Sequence, residues 1–411
     1  VRVTYKYKLY NSKKNKHLHQ TITLAGRAYN HGIALHRRYY RLYDKHLNQY
    51  ALMKHFTKLK KRPHYAWLND IPSQALQEIA QRIDRGYRLF FRNLKAGIKT
   101  APPLFKKTRK YKSYTLKQAG WKLLGDSRAQ IGKRVYKMCR DRTLVGDVKT
   151  VTIKRDALYD LYLCFSVEVD DPKLRPTSGK MAGFDFGLKS FLTVHDGFES
   201  YEIASPELFK QSLKSVKALS RCLSRKAEGS NNRRKARARL ARAHRAIANK
   251  RLGWFFKLSH DLTERYDYLF FETLNLKGMQ RLWGRKVSDL AFGMFLNVLQ
   301  YVANKKGKVV ALIDPFFPSS RLCPHCGCIN EHLELSDRRW RCPHCHEIIE
   351  RDVAAALNIL REGASSLGGG DVRPVLGQSL LMPESHRLYP WEYVSALFCA
   401  CLGIVLQQAP R

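Results

Sequence analysis

The chain has 411 residues, 75 Lys and Arg against 34 Asp and Glu, and a formal net charge of +41. Hydrophobic residues make up 44% and charged residues 27%, which excludes a disordered polar chain, and the length suggests about two to four domains with real cores. So large a positive charge repels itself in any compact state, so a polyanion is the expected partner, nucleic acid ahead of an anionic membrane surface.

Residues 1–10 alternate, Val3, Tyr5, Tyr7 and Leu9 against Arg2, Lys6 and Lys8, which predicts a short strand with one polar face. From His17 to about Lys99 the period becomes helical: Leu24, Ala28, His31 and Leu35 recur at three- and four-residue steps, as do Tyr87, Phe90, Phe91 and Leu94. Pro63 and Pro72 punctuate this block and Pro102-Pro103 closes it. Between Tyr114 and Val169 the period shifts towards two, consistent with a small β-barrel that the first strand joins, the helical block being inserted between. Beyond the linker at 170–180, residues 181–195 read as strand, turn, strand, and 206–262 as a helical stretch broken at EGSNN, its second arm strongly basic. YDYLFFE (266–272) and KVVALID (308–314) are nearly continuous apolar runs, the mark of buried strands, with a helix around 288–305 between them. A further helix begins near Arg351. Strands alternating with helices predict an α/β sheet domain. The apolar run Val394–Leu406 is about 13 residues against the roughly 20 of a spanning helix, which predicts a buried or disordered tail. No apolar signal region opens VRVTYKYKLYN, and the cysteines outside the two pairs described next are scattered singly; the expected compartment is reducing and intracellular.

Three patterns carry chemistry. Cys323, Cys326, Cys342 and Cys345 form two C-x2-C pairs 15 residues apart, the spacing of a zinc ribbon. Four thiolates close a tetrahedral shell round Zn2+, so this metal is expected to be structural; Cys328, His325, His344 and His346 lie near enough to substitute in principle. The second pattern is acidic. Asp185 lies on an apolar strand, Glu272 ends the run YLFFE, and Asp352 opens the helix RDVAAALNIL. Singly these read as a turn acid, a salt-bridge partner and a helix cap. Together, at the edge of a buried sheet, they would repel one another unless cations lay between them, and carboxylate-held divalent metals are what phosphodiester hydrolysis uses. Asp314 also ends an apolar strand and ranks below Asp352 as the third acid. The third pattern interleaves basic and aromatic residues, as in HRRYYRLYDKH, RGYRLFFRNLK and KKTRKYKSYTLK, suited to phosphates and unstacked bases.

The segments GFDFGLKSFLTVHDG, FFETLNLKGM, FFPSSRLCPHCG, RRWRCPHC and ERDVAAALNIL stand in the order and context of the TnpB proteins, transposon-encoded RNA-guided DNA endonucleases ancestral to the compact type V CRISPR effectors. ALQEIAQRIDRGYRLFFRNLK and PPLFKKTRKYKSYTL look like the family's recognition and wedge segments, and the resemblance covers nearly all of residues 1–373. It implies a multidomain α+β protein: a wedge β-barrel (1–16 and 104–172) with an inserted helical recognition domain (17–103), then a RuvC-like nuclease domain of RNase H fold (180–318 and 350–373) interrupted by a zinc ribbon (319–349), and a tail (374–411). The same resemblance implies that Asp185, Glu272 and Asp352 are the catalytic triad, holding two Mg2+ ions, and that Cys323, Cys326, Cys342 and Cys345 hold Zn2+. Gln77 matches a position implicated in reading the flanking DNA motif, with Tyr50 and Lys54 in the same region. The implied partners are a guide RNA and target double-stranded DNA, with no membrane and a monomeric protein. Base pairing would supply sequence and the protein shape and the flanking read.

The chain departs from the family where Asn usually follows the last acid by two residues, since Ala354 stands there, and at Gly253 and Phe256, where many members have Asp and His. None of these is a predicted ligand; they bear on the rate of cutting. The expectation is an Mg2+-dependent, RNA-guided endonuclease. The alternatives are a weakly cutting or non-cutting guided binder of the type V kind and a zinc-ribbon DNA-binding regulator.

Overall fold

The computed structural model describes residues 2–125, 127–170, 178–275, 278, 284, 287, 289–334 and 336–368. The tail at 374–411, with its apolar run, and most of the 170–180 linker lie outside the described residues. The chain forms two compact units that divide at residue 171. Among the described residues no helix is long and apolar enough to cross a membrane.

The first unit opens with β1 (Arg2–Leu9) and continues with the helices α1 (Asn15–Tyr43), α2 (Gln49–Leu59) and α3 (Ser73–Lys95), a 3-10 segment at Pro63–Asp70 lying between the last two. In α3 the buried residues Ala75, Leu76, Ile79, Ala80, Ile83 and Tyr87 recur every three or four positions, so one apolar stripe faces α1 and α2. Asn48 caps α2 by accepting from the Ala51 N–H at 2.9 Å. Six strands follow: β2 (Ser113–Leu116), β3 (Trp121–Leu123), β4 (Arg128–Ile131), β5 (Arg134–Cys139), β6 (Asp147–Arg155) and β7 (Leu161–Glu168). They pair in the order β2-β6-β7-β1-β5-β4-β3, so the first strand enters the sheet between β7 and β5, as its alternation suggested. The pairing runs from β2 at one edge to β3 at the other with no closing pair among the described residues, and the sheet is therefore open where a closed barrel was expected.

The second unit is built on a five-stranded sheet ordered β10-β9-β8-β11-β12, with β8 (Met181–Phe186), β9 (Ser190–His195), β10 (Ser200–Ala204), β11 (Tyr268–Phe271) and β12 (Val309–Leu312). β8, β9 and β10 are antiparallel neighbours, whereas β11 is parallel to both β8 and β12. Between β10 and β11 run α4 (Leu208–Ser224) and α5 (Asn231–Arg265), and α6 (Phe292–Lys306) precedes β12. A short ribbon, β13 (Arg339–Arg341) with β14 (Ile348–Glu350), leads into α7 (Arg351–Gly368). The central strands are buried on both sides. Phe184, Phe186, Phe191 and Phe271 join α5 and α6 in one core, while Phe270, Ala311 and Ile313 join Ile359 and Leu360 of α7 in another. That explains the continuous apolar runs, since a strand covered on both faces has no polar side. The molecule is thus a mixed α/β protein of more than one domain.

Candidate active site

Along β8 side chains alternate between the two faces of the sheet. Phe184 and Phe186 enter the aromatic core, so Gly183 and Asp185 face α7. Gly183 has a packing reason to be glycine: a Cβ there would overlap the carbonyl oxygen of Ala356 and the Leu360 amide, so α7 lies directly on the strand. Asp352 stands four residues before Ala356, on the same helical face, and is carried over the end of β8 towards Asp185. Glu272 comes from the neighbouring strand. Phe271 pairs with Phe184 in parallel register, so the next step sets Glu272 beside Asp185. Three acids from distant stretches of chain therefore meet at one edge of the sheet.

Their electrostatics record the meeting. Asp185 is 9% exposed, and its carboxyl is pushed up to about 8, first by burial and then by the negative charges of Glu272 and Asp352, with Arg351 and the Phe186 backbone opposing. Glu272 is also raised by burial, again against Arg351. Asp352 accepts from Arg338 Nη1 at 2.6 Å, and the Arg338 carbonyl in turn accepts from the Arg351 N–H at 2.9 Å. Among the described residues the four cysteines are the one group of three or more ligating side chains whose donor atoms all lie within 4.8 Å of one another. The carboxylates are set more widely, with Asp352 turned to Arg338. A trio of hard oxygen donors, one of them buried and destabilised by the other two, fits divalent cations such as Mg2+. Asp314 takes no such place. It is exposed, and its Oδ1 accepts from the Phe316 N–H at 2.7 Å to close a turn.

The cysteines converge from two knuckles. Cys323 Sγ lies 3.6 Å from Cys345 Sγ, and Cys326 Sγ 3.5 Å from Cys342 Sγ. Sulfurs about 2.3 Å from a tetrahedral zinc stand roughly 3.8 Å apart, so the cluster fits a structural zinc site. Each knuckle is a tight turn: the Gly327 N–H donates to the Cys323 carbonyl and the His346 N–H to that of Cys342, both at 3.0 Å. Trp340 and Ile349 of the ribbon, with Leu333 and Ala354, bury Cys323 and Cys342 against the start of α7, while Cys326 stays exposed.

Tyr50 and Lys54 are exposed on α2 and Gln77 is exposed on α3, two helices that pack together in the first unit. Two basic residues of the acidic edge, Arg338 and Arg351, escaped sequence reasoning. In a chain with 75 Lys and Arg no single arginine stands out, and only the clustered acids could have pointed to them.

Residues 164–282 match the family model OrfB_IS605, described as a probable transposase, and residues 292–359 match the Cas12f1-like TNB domain. A protein of Streptomyces pristinaespiralis named "Putative RNA-guided DNA endonuclease" is 29% identical over 343 residues, covering 80% of this chain and 83% of its own. The Escherichia coli (strain K12) protein "Putative RNA-guided DNA endonuclease InsQ" is 28% identical over 325 residues, 74% of this chain and 78% of its own. "TnpB-like protein L770" of Acanthamoeba polyphaga mimivirus is 29% identical over 55% of this chain and 46% of its own. Among solved structures, that reported as "Cryo-EM structure of the Cas12f1-sgRNA-target DNA complex" shares the fold at a TM-score of 0.54 and 15% identity, over 85% of this chain and 83% of that one. Both parts of the second unit thus match these family models, and over most of its length the chain is similar to proteins named as RNA-guided DNA endonucleases.

Proposed function

We propose that this protein is an RNA-guided endonuclease that hydrolyses phosphodiester bonds of target DNA, with Asp185, Glu272 and Asp352 as its catalytic acids. The observation that supports it is the convergence of these three carboxylates at one sheet edge, where Asp185 is raised to about 8 by burial and by the other two. Buried, mutually repelling acids lower stability, and in a polycation their retention is best explained by a cation-dependent task. Mg2+ ions held by the three acids would supply an activated water and neutralise the leaving oxygen. Arg338 and Arg351 offset the acids' charge, and Arg338 holds Asp352 at 2.6 Å, so ion binding competes with that pair. In this reading the second unit is a RuvC-like domain of RNase H fold carrying a zinc ribbon. The open sheet of the first unit is the wedge, its helices form the recognition domain, and Tyr50, Lys54 and Gln77 face the flanking DNA motif. The partners are a guide RNA and double-stranded DNA, as the names of the relatives suggest.

The test uses the protein with the RNA that co-purifies with it and matched DNA in Mg2+. Asp185→Ala is expected to slow cutting by at least ~100-fold, about 2.7 kcal/mol of barrier, while guide and target binding remain. Unchanged cutting would refute the assignment. Ala354 and the Arg338–Asp352 pair favour a second reading, a guided binder that cuts slowly, which predicts tight target binding by the unaltered protein with little cleavage.

A further inference from the structure

The loop between β12 and the zinc ribbon holds two consecutive phenylalanines with opposite fates. Phe317 turns inward and packs with Phe270, Ile313 and Leu360. Phe316 is 90% exposed. Slack in the loop does not account for this. On one side the Ile313 N–H donates to the Phe271 carbonyl at 2.9 Å and Thr273 Oγ1 donates to the Ile313 carbonyl at 2.6 Å, which ties the loop to the residues flanking Glu272. On the other side the buried Asn358 of α7 donates to the carbonyls of Ser319 and Leu322 at 2.9 and 2.8 Å. Between these anchors the Asp314 carboxylate holds the Phe316 N–H, and the Ser319 N–H donates to the Phe317 carbonyl at 2.9 Å. A bare aromatic ring is thus presented by a fixed turn that leaves the strand beside Glu272 and ends on the helix that carries Asp352.

We propose that Phe316 is a positioning residue on which one nucleobase of the strand being cut stacks, beside the phosphate that the three acids address. This rests on the endonuclease reading. A single exposed apolar side chain is ordinary on a protein surface. What selects a nucleobase as the occupant here is the ring's flat, sequence-tolerant face, its fixed place at the acidic edge, and the polycationic chain around it. Phosphates bind to charge, and an unstacked base needs an aromatic surface; the loop offers the second, on a turn tied to the residues flanking Glu272. Stacking of this kind carries no preference for one base, so the ring would act on affinity for the cut strand and leave guide-directed specificity alone.

The test uses the full chain with its RNA and a series of matched strands carrying 2-aminopurine at each position around the cut, bound to an Asp185→Ala background that does not cut. At one position fluorescence should fall on binding; Phe316→Ala should abolish that quenching and Phe316→Tyr should keep it. In the cutting protein Phe316→Ala should raise KM for the cut strand by about 5- to 150-fold and leave kcat, thermal melting and guide binding nearly unchanged. Quenching and KM unaltered by Phe316→Ala would overturn the proposal even if Asp185→Ala stops cutting. Undiminished cutting by Asp185→Ala would instead remove the endonuclease reading on which it rests.

Discussion

At Gly183 a single methyl group decides whether the acids meet. Adding it would drive α7 off β8, because the Ala356 carbonyl oxygen and Leu360 amide already occupy that space. Gly183→Ala should therefore lower stability by about 1–3 kcal/mol, the usual range for overpacking, and reduce cutting further than the lost stability explains. Thermal melting and cleavage measured on one preparation would separate the two effects. In the first unit the critical residue is His36, 1% exposed and stacked on Tyr87 with centroids 3.5 Å apart. His36 Nε2 and His46 Nδ1 lie 2.9 Å apart, and His46 Nε2 lies 2.8 Å from Asp84 Oδ1, which also takes part in an ion pair with Arg88. Burial first, then His46, lowers His36 to about 4 from 6.5, with Asp84 opposing. The unfolded chain then takes up the proton at higher pH than the folded one. Stability contributed by neutral His36 is full above about 6.5 and declines as pH falls towards 4, by about 3 kcal/mol in all. Denaturant unfolding at pH 7.5 and 4.5 should show this slope, and His36→Gln should flatten it. Nothing in the sequence announced the relay, since its members are 10 and 38 positions apart and match no spacing rule.

Among the elements, those with a buried face were the readable ones. β8, β11 and β12 stood out as apolar runs because both sides of the sheet are covered, whereas in α3 the sequence singled out Tyr87, Phe90, Phe91 and Leu94, of which Tyr87 alone joins the buried stripe and Leu94 is exposed. β10 (SYEIA) was missed: it is an edge strand that alternates between exposed and half-buried residues and leaves little apolar signal. β13 and β14 are three residues each, too short for a period, and owe their place to the cysteine knuckles around them. The acids were legible as strand and helix ends, but not the glycine that lets them converge. The ribbon packs on the start of α7 through Trp340, Ile349 and Ala354, so it supports Asp352 as well as the cysteine cluster. Cys342→Ser should lose about one zinc per chain by metal analysis, and with it cutting, while RNA binding by the full chain remains. Retained zinc would overturn the four-thiolate assignment.

For the whole molecule the charge was plain from composition, but the openness of the seven-stranded sheet was not, because strand periodicity says nothing about whether the edges β2 and β3 pair. A net charge of +41 acts chiefly through phosphate contacts, and its signature is the response to salt. If about six to ten Lys and Arg neutralise phosphates, affinity for nucleic acid should fall by roughly 10^3- to 10^5-fold between 50 and 200 mM salt, read from a titration series. A flat response would contradict the electrostatic account. The three acids enter the chain at 185, 272 and 352, the last on the final described helix. During synthesis the trio is therefore incomplete until nearly all of both units has left the ribosome. On the proposed reading, a nascent chain with its basic surface already formed would gather RNA before it could cut anything, so the order of translation itself would put guide before blade.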